Sequence, residues 1–274
     1  MSKIAGRFQQ LAAQGRKALI PYIVAGDPEM ALTVPLMHAL VAAGADIIEL
    51  GVPFSDPMSE GPVIQKAHER ALANGARLRD ALDMVQTFRE RDADTPVLLM
   101  GYANPVEHMG YGVFADRAAE AGVDGLLTVD IPPEEVAGVN AELHRVGMDN
   151  IFLVAPTTPS ARIKAIVDQA SGFIYYVALK GVTGAGNLDA ADVARHLALI
   201  REHTTLPLAV GFGIKDAASA RLVGASADGV VVGSALVACV ARAASEGVDH
   251  EGLVRAASAL VAEIRAGLDS IASR

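Results

Sequence analysis

The chain has 274 residues, enough for two small domains or for one α/β barrel, a fold that commonly takes about 250. It carries 23 Lys and Arg against 32 Asp and Glu, a formal net charge of −9, with no basic run. That balance argues against nucleic-acid or anionic-membrane binding and leaves any anionic ligand to local backbone groups. The single cysteine, Cys239, excludes an intramolecular disulfide and a multi-cysteine zinc motif.

The first 20 residues have neither a long apolar centre nor a small-residue cleavage pattern. No apolar run reaches the roughly 20 residues that span a bilayer, so a cytoplasmic location is expected. Residues 3–14 read as an amphipathic helix that covers one end of a barrel. Residues 18–25 are a buried strand closed by Gly26-Asp27-Pro28-Glu29. Asp27 suits an N-cap and Pro28 a first helical position, which predicts a helix over 29–43. A second strand, 45–50, carries Glu49 to its end. A polar, turn-rich loop with Asp56 and Glu60 follows, and Pro62 opens a helix over 62–74.

Helical patterning returns at 78–91. A third strand, 96–100, ends in Gly101-Tyr102-Ala103-Asn104-Pro105. The pattern then gives a helix at 111–121 and a strand at 125–129 stopping at Asp130-Ile131-Pro132-Pro133. A helix at 134–146, a strand at 150–154, a helix at 160–170 and strand six at 172–178 come next. After a glycine-rich loop at 179–187 the order is helix 189–202, strand 207–210, helix 216–223 and strand eight at 229–232. Helices run on to about residue 270.

Strand–helix alternation repeated eight times implies parallel strands joined by crossover helices, and near-continuous apolar runs suit a sheet covered by helices. The expectation is one (β/α)8 TIM barrel over 1–274, ahead of an open doubly wound sheet. It has an extra N-terminal helix and a short phosphate-binding helix after strand eight. In such a barrel the loops after the strands build the site. They bring together Tyr22, Glu49, Asp56, Glu60, Tyr102, Asn104, Asp130 and Tyr175.

Three glycine-rich segments stand out: Gly181-Val182-Thr183-Gly184, Gly211-Phe212-Gly213 and Gly233-Ser234. They let amide groups approach a phosphate, helped by a helix N-terminus, or else they only make tight turns. Asp130 and Asp56 fit turn or cap chemistry, and Tyr102 and Tyr175 wall an aromatic ligand or pack the rim. The seven histidines, His68 included, lack metal-ligand spacing and read as surface or packing residues. No metal is implied.

Residues 21–28, 49–65, 101–105, 129–133, 175–184, 211–214 and 231–234 together resemble the α chains of tryptophan synthase. The run Glu-Leu-Gly-Val-Pro-Phe-Ser-Asp-Pro from Glu49 to Pro57 is the most specific part. The resemblance implies a lyase that cleaves indole-3-glycerol phosphate to indole and glyceraldehyde 3-phosphate by a retro-aldol reaction. It implies no cofactor in this chain, and a pyridoxal-phosphate-dependent β chain as partner in an α2β2 complex. It makes Glu49 the acid/base and Glu60 the second carboxylate. It assigns Tyr22, Tyr102, Tyr175 and Thr183 to the substrate, and Gly184, Gly213, Gly233 and Ser234 to its phosphate. It matches Pro53, Asp56, Pro57, Asn104 and Asp130 to the partner surface.

The chain departs from the family pattern at three places. Glu60 stands where the family reads Asp before Gly-Pro, Ala178 where a serine usually follows, and Val24 where threonine is common. Glu keeps the charge but moves it by about 1.5 Å, and a misplacement of roughly 1 Å can cost about a hundredfold in rate. A weakened or altered-substrate member serving its β chain as allosteric partner, and a stand-alone lyase, therefore stay open as alternatives.

Overall fold

The computed structural model describes residues 2–178, 190–211 and 213–271. Nine strands form one sheet with every ladder parallel. They are β1 (Ala18–Val24), β2 (Ile48–Gly51), β3 (Val97–Gly101), β4 (Gly125–Thr128), β5 (Asp149–Asn150), β6 (Phe152–Val154), β7 (Ile174–Val177), β8 (Leu208–Gly211) and β9 (Gly229–Val232). Their order is β5-β4-β3-β2-β1-β9-β8-β7-β6. Only Ile151 separates β5 from β6, and its N–H donates to Leu126 O at 2.9 Å. The two ends of the order are thus one stretch, pairing with β4 on one side and β7 on the other, and the sheet closes into the expected barrel. The fifth strand, read as continuous from the sequence, is interrupted at that residue.

Pro21 lies inside β1, where a residue without an N–H is unusual. It is the last residue of β1 paired with β9, and pairing with β2 begins at Tyr22, so the missing donor falls at the change of ladder. Side chains alternate across the sheet. Ile20, Ile47, Leu98, Leu127, Ile151, Phe173 and Val231 fill the barrel interior, while Leu19, Ile48, Leu50, Leu99 and Val230 pack outward against the helices.

Helix α1 (Lys3–Ala13) has Ser2 as its N-cap and buries Ile4, Phe8 and Leu11, one stripe at helical spacing. The stripe packs on Phe173 and Ala18 and plugs the end where the strands begin. The outer layer comprises α2 (Thr33–Ala42), α3 (Pro62–Ala73), α4 (Leu78–Arg89), α5 (Ala103–Met109), α6 (Tyr111–Ala121), α7 (Ala137–Arg145), α8 (Ser160–Val167), α9 (Ala190–Arg201), α10 (Ala217–Gly224), α11 (Ser234–Ser245) and α12 (His250–Asp269). The helix expected after the eighth strand is α11, twelve residues long. Among the described residues no helix is long and apolar enough to cross a membrane.

Three local expectations are corrected. Asp27 does not cap a helix at 29–43. The Asp27–Pro28 peptide is cis, a 3-10 turn (Met30–Leu32) intervenes, and Arg70 takes the carboxylate with Nε at 2.6 Å and Nη2 at 3.0 Å. The segment after Tyr102, for which no helix was expected, is the helix α5, whose first N–H, from Ala103, donates to Asp130 Oδ1 at 2.8 Å. The helix at 134–146 begins later, at Ala137.

Candidate active site

Glu49 is in register with Tyr22 on β1 and Leu98 on β3. Ile48 and Leu50 face outward, so alternation turns Glu49 inward, above Ile47. It is fully buried, and neither carboxyl oxygen has a hydrogen-bond partner among the described residues. Burial without a partner disfavours the anion and, helped by the nearby charge of Glu60, raises the Glu49 pKa to about 8.

Glu60 arrives from the loop at residues 52–61, half-buried, and burial raises it to about 7. Its charge also acts on Glu49 and on the hydroxyls of Tyr22, Tyr102 and Tyr175, so this carboxylate lies in the neighbourhood of Glu49 and the three rings. Four contacts hold the loop. Phe54 N–H donates to His68 Nδ1 at 3.0 Å, and the Phe54 ring stacks on Tyr102 with centroids 4.9 Å apart. Ser59 N–H donates to Tyr102 Oη at 3.1 Å, and Gln65 Nε2 donates to Glu60 O at 2.9 Å.

The tyrosines owe their positions to two glycines. A Cβ on Gly51 would stand 2.4 Å from Tyr22 Oη, and one on Gly211 would stand 2.2 Å from Tyr175 Oη. Any other residue would displace the hydroxyl. Both phenols are held well above their ordinary pKa, by burial first and by the two glutamates second, so both remain proton donors.

Gly213 and Gly233 follow the adjacent strands β8 and β9. Gly213 adopts φ +78, which favours glycine. Gly233 is the N-cap of α11 and supplies no side-chain cap, so among the described residues no side chain caps the first N–H groups from Ser234 onward. Thr183 and Gly184, with the rest of residues 179–189, and Phe212 lie outside the described residues. Of the residues matched to a partner surface, Asp56, Asn104 and Asp130 are exposed, Pro57 is half-buried and Pro53 is buried.

His68 takes the packing alternative: it is 2 % exposed and bonded on both ring nitrogens. Its place on the face of α3 that buries Ala67 and Ala71, opposite an acid-bearing strand, was the available signal. Among the described residues no three His, Cys, Asp or Glu side chains cluster as metal ligands. A cleft of about 810 Å3 at the other end of the barrel is lined by Phe8, Arg16, Lys17 and Arg201. Its carboxylate, Asp228, is paired with Arg201, so it offers no reactive acid.

The sequence profile of the tryptophan synthase alpha chain family matches residues 8–266. The tryptophan synthase alpha chain of Thioalkalivibrio sulfidiphilus is 63 % identical over 269 residues, covering 98 % of this chain and all of that one. The crystal structure of tryptophan synthase subunit alpha from Legionella pneumophila superposes with a TM-score of 0.92 at 45 % identity, covering 99 % of this chain and all of that one. A chain in the aminoacrylate-bound tryptophan synthase of M. tuberculosis superposes with a TM-score of 0.86 at 35 % identity, covering 98 % and 100 %.

Proposed function

The chain belongs to the tryptophan synthase alpha chain family, whose members are lyase subunits, and on that premise we propose how its own residues release indole from indole-3-glycerol phosphate. The observation that carries the reading is a fully buried Glu49 with no hydrogen-bond partner among the described residues, close enough to Glu60 to feel its charge. Near neutrality Glu49 holds its proton and Glu60 ionises more readily. Protonated Glu49 gives its proton to the ring carbon that bears the glycerol chain, making a cationic indolenine. The Glu60 carboxylate accepts the indole N–H and stabilises that cation. Glu49, now a carboxylate, takes the proton of the neighbouring glycerol hydroxyl as the C–C bond breaks. The bond's electron pair returns to the ring, the hydroxyl carbon becomes the aldehyde of glyceraldehyde 3-phosphate, and Glu49 ends protonated as it began.

The rings of Tyr22, Tyr102 and Tyr175 sandwich the indole. Gly213, Gly233 and Ser234 offer amides to the phosphate, joined by Thr183 and Gly184. A chain of net charge −9 holds a phosphate in this way without a basic field. The partner is a tryptophan synthase β chain in an α2β2 assembly, docking on Asp56, Pro57, Asn104 and Asp130. Met58, 77 % exposed, and Val113, 55 % exposed, add apolar surface there. Pyridoxal phosphate belongs to that partner, and the pair works in the cytoplasm.

The test is indole release from indole-3-glycerol phosphate by the purified chain, alone and with a β chain. Release that the β chain stimulates is expected. A chain that is inert in both conditions overturns the substrate assignment.

A further inference from the structure

The reaction above assigns nothing to His68, a buried side chain of α3 that is bonded to both β1 and the loop at residues 52–61. Its Nδ1 accepts the Phe54 main-chain N–H at 3.0 Å. A main-chain amide only donates, so Nδ1 carries the lone pair and the ring proton sits on Nε2. Nε2–H therefore donates to Tyr22 Oη, 3.3 Å away. Burial favours the same neutral ring, pushing the imidazole pKa down to about 4. A protonated ring would aim a second N–H at the Phe54 N–H, so one tautomer of the neutral ring serves both bonds.

Each bond holds something the site uses. The Tyr22 ring lies beside two glycines: a Cβ on Gly51 would stand 2.4 Å from its hydroxyl, and one on Gly233 would stand 3.7 Å from its Cβ. No side chain at either position braces the ring, and the bond from His68 fixes where the hydroxyl lies. On the loop side, Phe54 is the third residue past β2 and its ring stacks on Tyr102. Tyr102 Oη then accepts the N–H of Ser59, the residue before Glu60. The loop is thus fastened at its start by His68 and near its end by Tyr102, with Ser55, Asp56 and Met58 exposed between the two points.

We propose that His68 is a positioning residue for the reaction: Nε2–H orients the Tyr22 ring against the indole, and Nδ1 seats the first turn of the loop whose far end brings Glu60. The proposal rests on the reading of Tyr22 as a wall of the indole pocket and of Glu60 as the carboxylate that meets the indole N–H.

The test uses variants that keep one bond and lose the other. Asparagine sets a carbonyl oxygen near the Nδ1 position and reaches no further. Glutamine sets its amide near the Nε2 position and leaves Phe54 N–H without an acceptor. With the β chain present, His68→Asn raises KM for indole-3-glycerol phosphate about fivefold and leaves kcat within about twofold, because only the Tyr22 ring is released. His68→Gln lowers kcat about fivefold to tenfold, because the loop start is released. Parent values of both constants in both variants overturn the proposal, and so does one and the same change in the two. The second measurement needs no turnover: hydrogen exchange of the Phe54 amide, which His68→Gln and His68→Leu speed about tenfold while His68→Asn leaves it near the parent rate. A Phe54 amide that exchanges at the parent rate in His68→Leu overturns the proposal. A chain that releases no indole overturns the substrate reading instead, and the exchange rates still decide whether His68 seats the loop.

Discussion

The two ends of the barrel treat their acids in opposite ways. Where the strands begin, Asp46 accepts Leu19 N–H at 2.9 Å and Arg265 Nη1 at 3.1 Å. Asp124 accepts Val97 N–H at 2.8 Å and Arg89 Nη2 at 2.7 Å. Asp228 accepts Leu208 N–H at 2.8 Å and Arg201 Nη2 at 3.0 Å. Each aspartate sits just ahead of one strand, receives an N–H at or next to the start of its neighbour and is neutralised by an arginine. The device occurs three times around the ring. Three residues beyond Asp46, at the other end, Glu49 is as deeply buried and, among the described residues, has neither an N–H nor an arginine. A carboxylate with partners ties strands together. One without them stays protonated and reactive.

Replacing Glu49 is the largest way to break that contrast. Glu49→Gln lowers kcat for indole release by about a thousandfold, as expected when an acid/base group is lost. Its effect on stability runs the other way. Burial raises the Glu49 pKa from 4.5 to about 8, so its contribution is complete below 4.5 and is lost as pH rises through about 8. Glutamine does not ionise, and at pH 9 the variant gains on the order of 5 kcal/mol over the parent, against little change at pH 4. Urea unfolding at the two pH values measures this, and an equal difference at both would contradict the buried, partnerless acid. The same two carboxylates give kcat/KM a narrow bell, rising near 7 as Glu60 ionises and falling near 8 as Glu49 loses its proton.

The mirror experiment is at the plugged end. Asp46→Ala removes the acceptor of Leu19 N–H and the buried partner of Arg265, which keeps Asp269 at 2.6 Å, and costs about 1 to 3 kcal/mol of stability. Indole release per folded molecule is unchanged. A fall in kcat without a fall in stability would mean that the two ends are not separable as structure and chemistry.

The barrel was legible because parallel strands covered by helices are plain apolar runs, and eight of them leave few other folds. Glu49 was legible as an acid at the end of an apolar strand, but Ile47-Ile48-Glu49-Leu50 alone fits a solvated strand end equally well, and only its full burial separates the two. What stayed hidden depends on contacts between distant residues. Asp27 before Pro28 satisfies every local rule for a helix cap, yet Arg70, 43 positions on, takes its carboxylate. His68 looks like packing until Phe54 N–H and Tyr22 meet it from two other elements. Helix α5 is seven residues long with a proline at its third position, and the acid that caps it lies 27 residues away.

That cap supports the smallest prediction. The Asp130 carboxylate receives the first N–H of α5, next to Tyr102, whose hydroxyl in turn receives Ser59 N–H from the loop that carries Glu60. Removing a cap of this kind costs about 0.5 to 2 kcal/mol, so Asp130→Ala destabilises by that amount. Asp130→Asn, which keeps an acceptor oxygen, loses less than half as much. The consequence for function follows from position: α5 bears Asn104 on the surface read as the partner's seat, and Tyr102 joins that surface to the loop. Asp130→Ala should therefore lower stimulation by a β chain more than it lowers the activity of the chain alone, measured as the ratio of the two rates. If Asp130→Asn were as unstable as Asp130→Ala, the capping bond would not be what holds α5. If the ratio stayed at its parent value, the link from α5 through Tyr102 to Glu60 would carry no message from the partner.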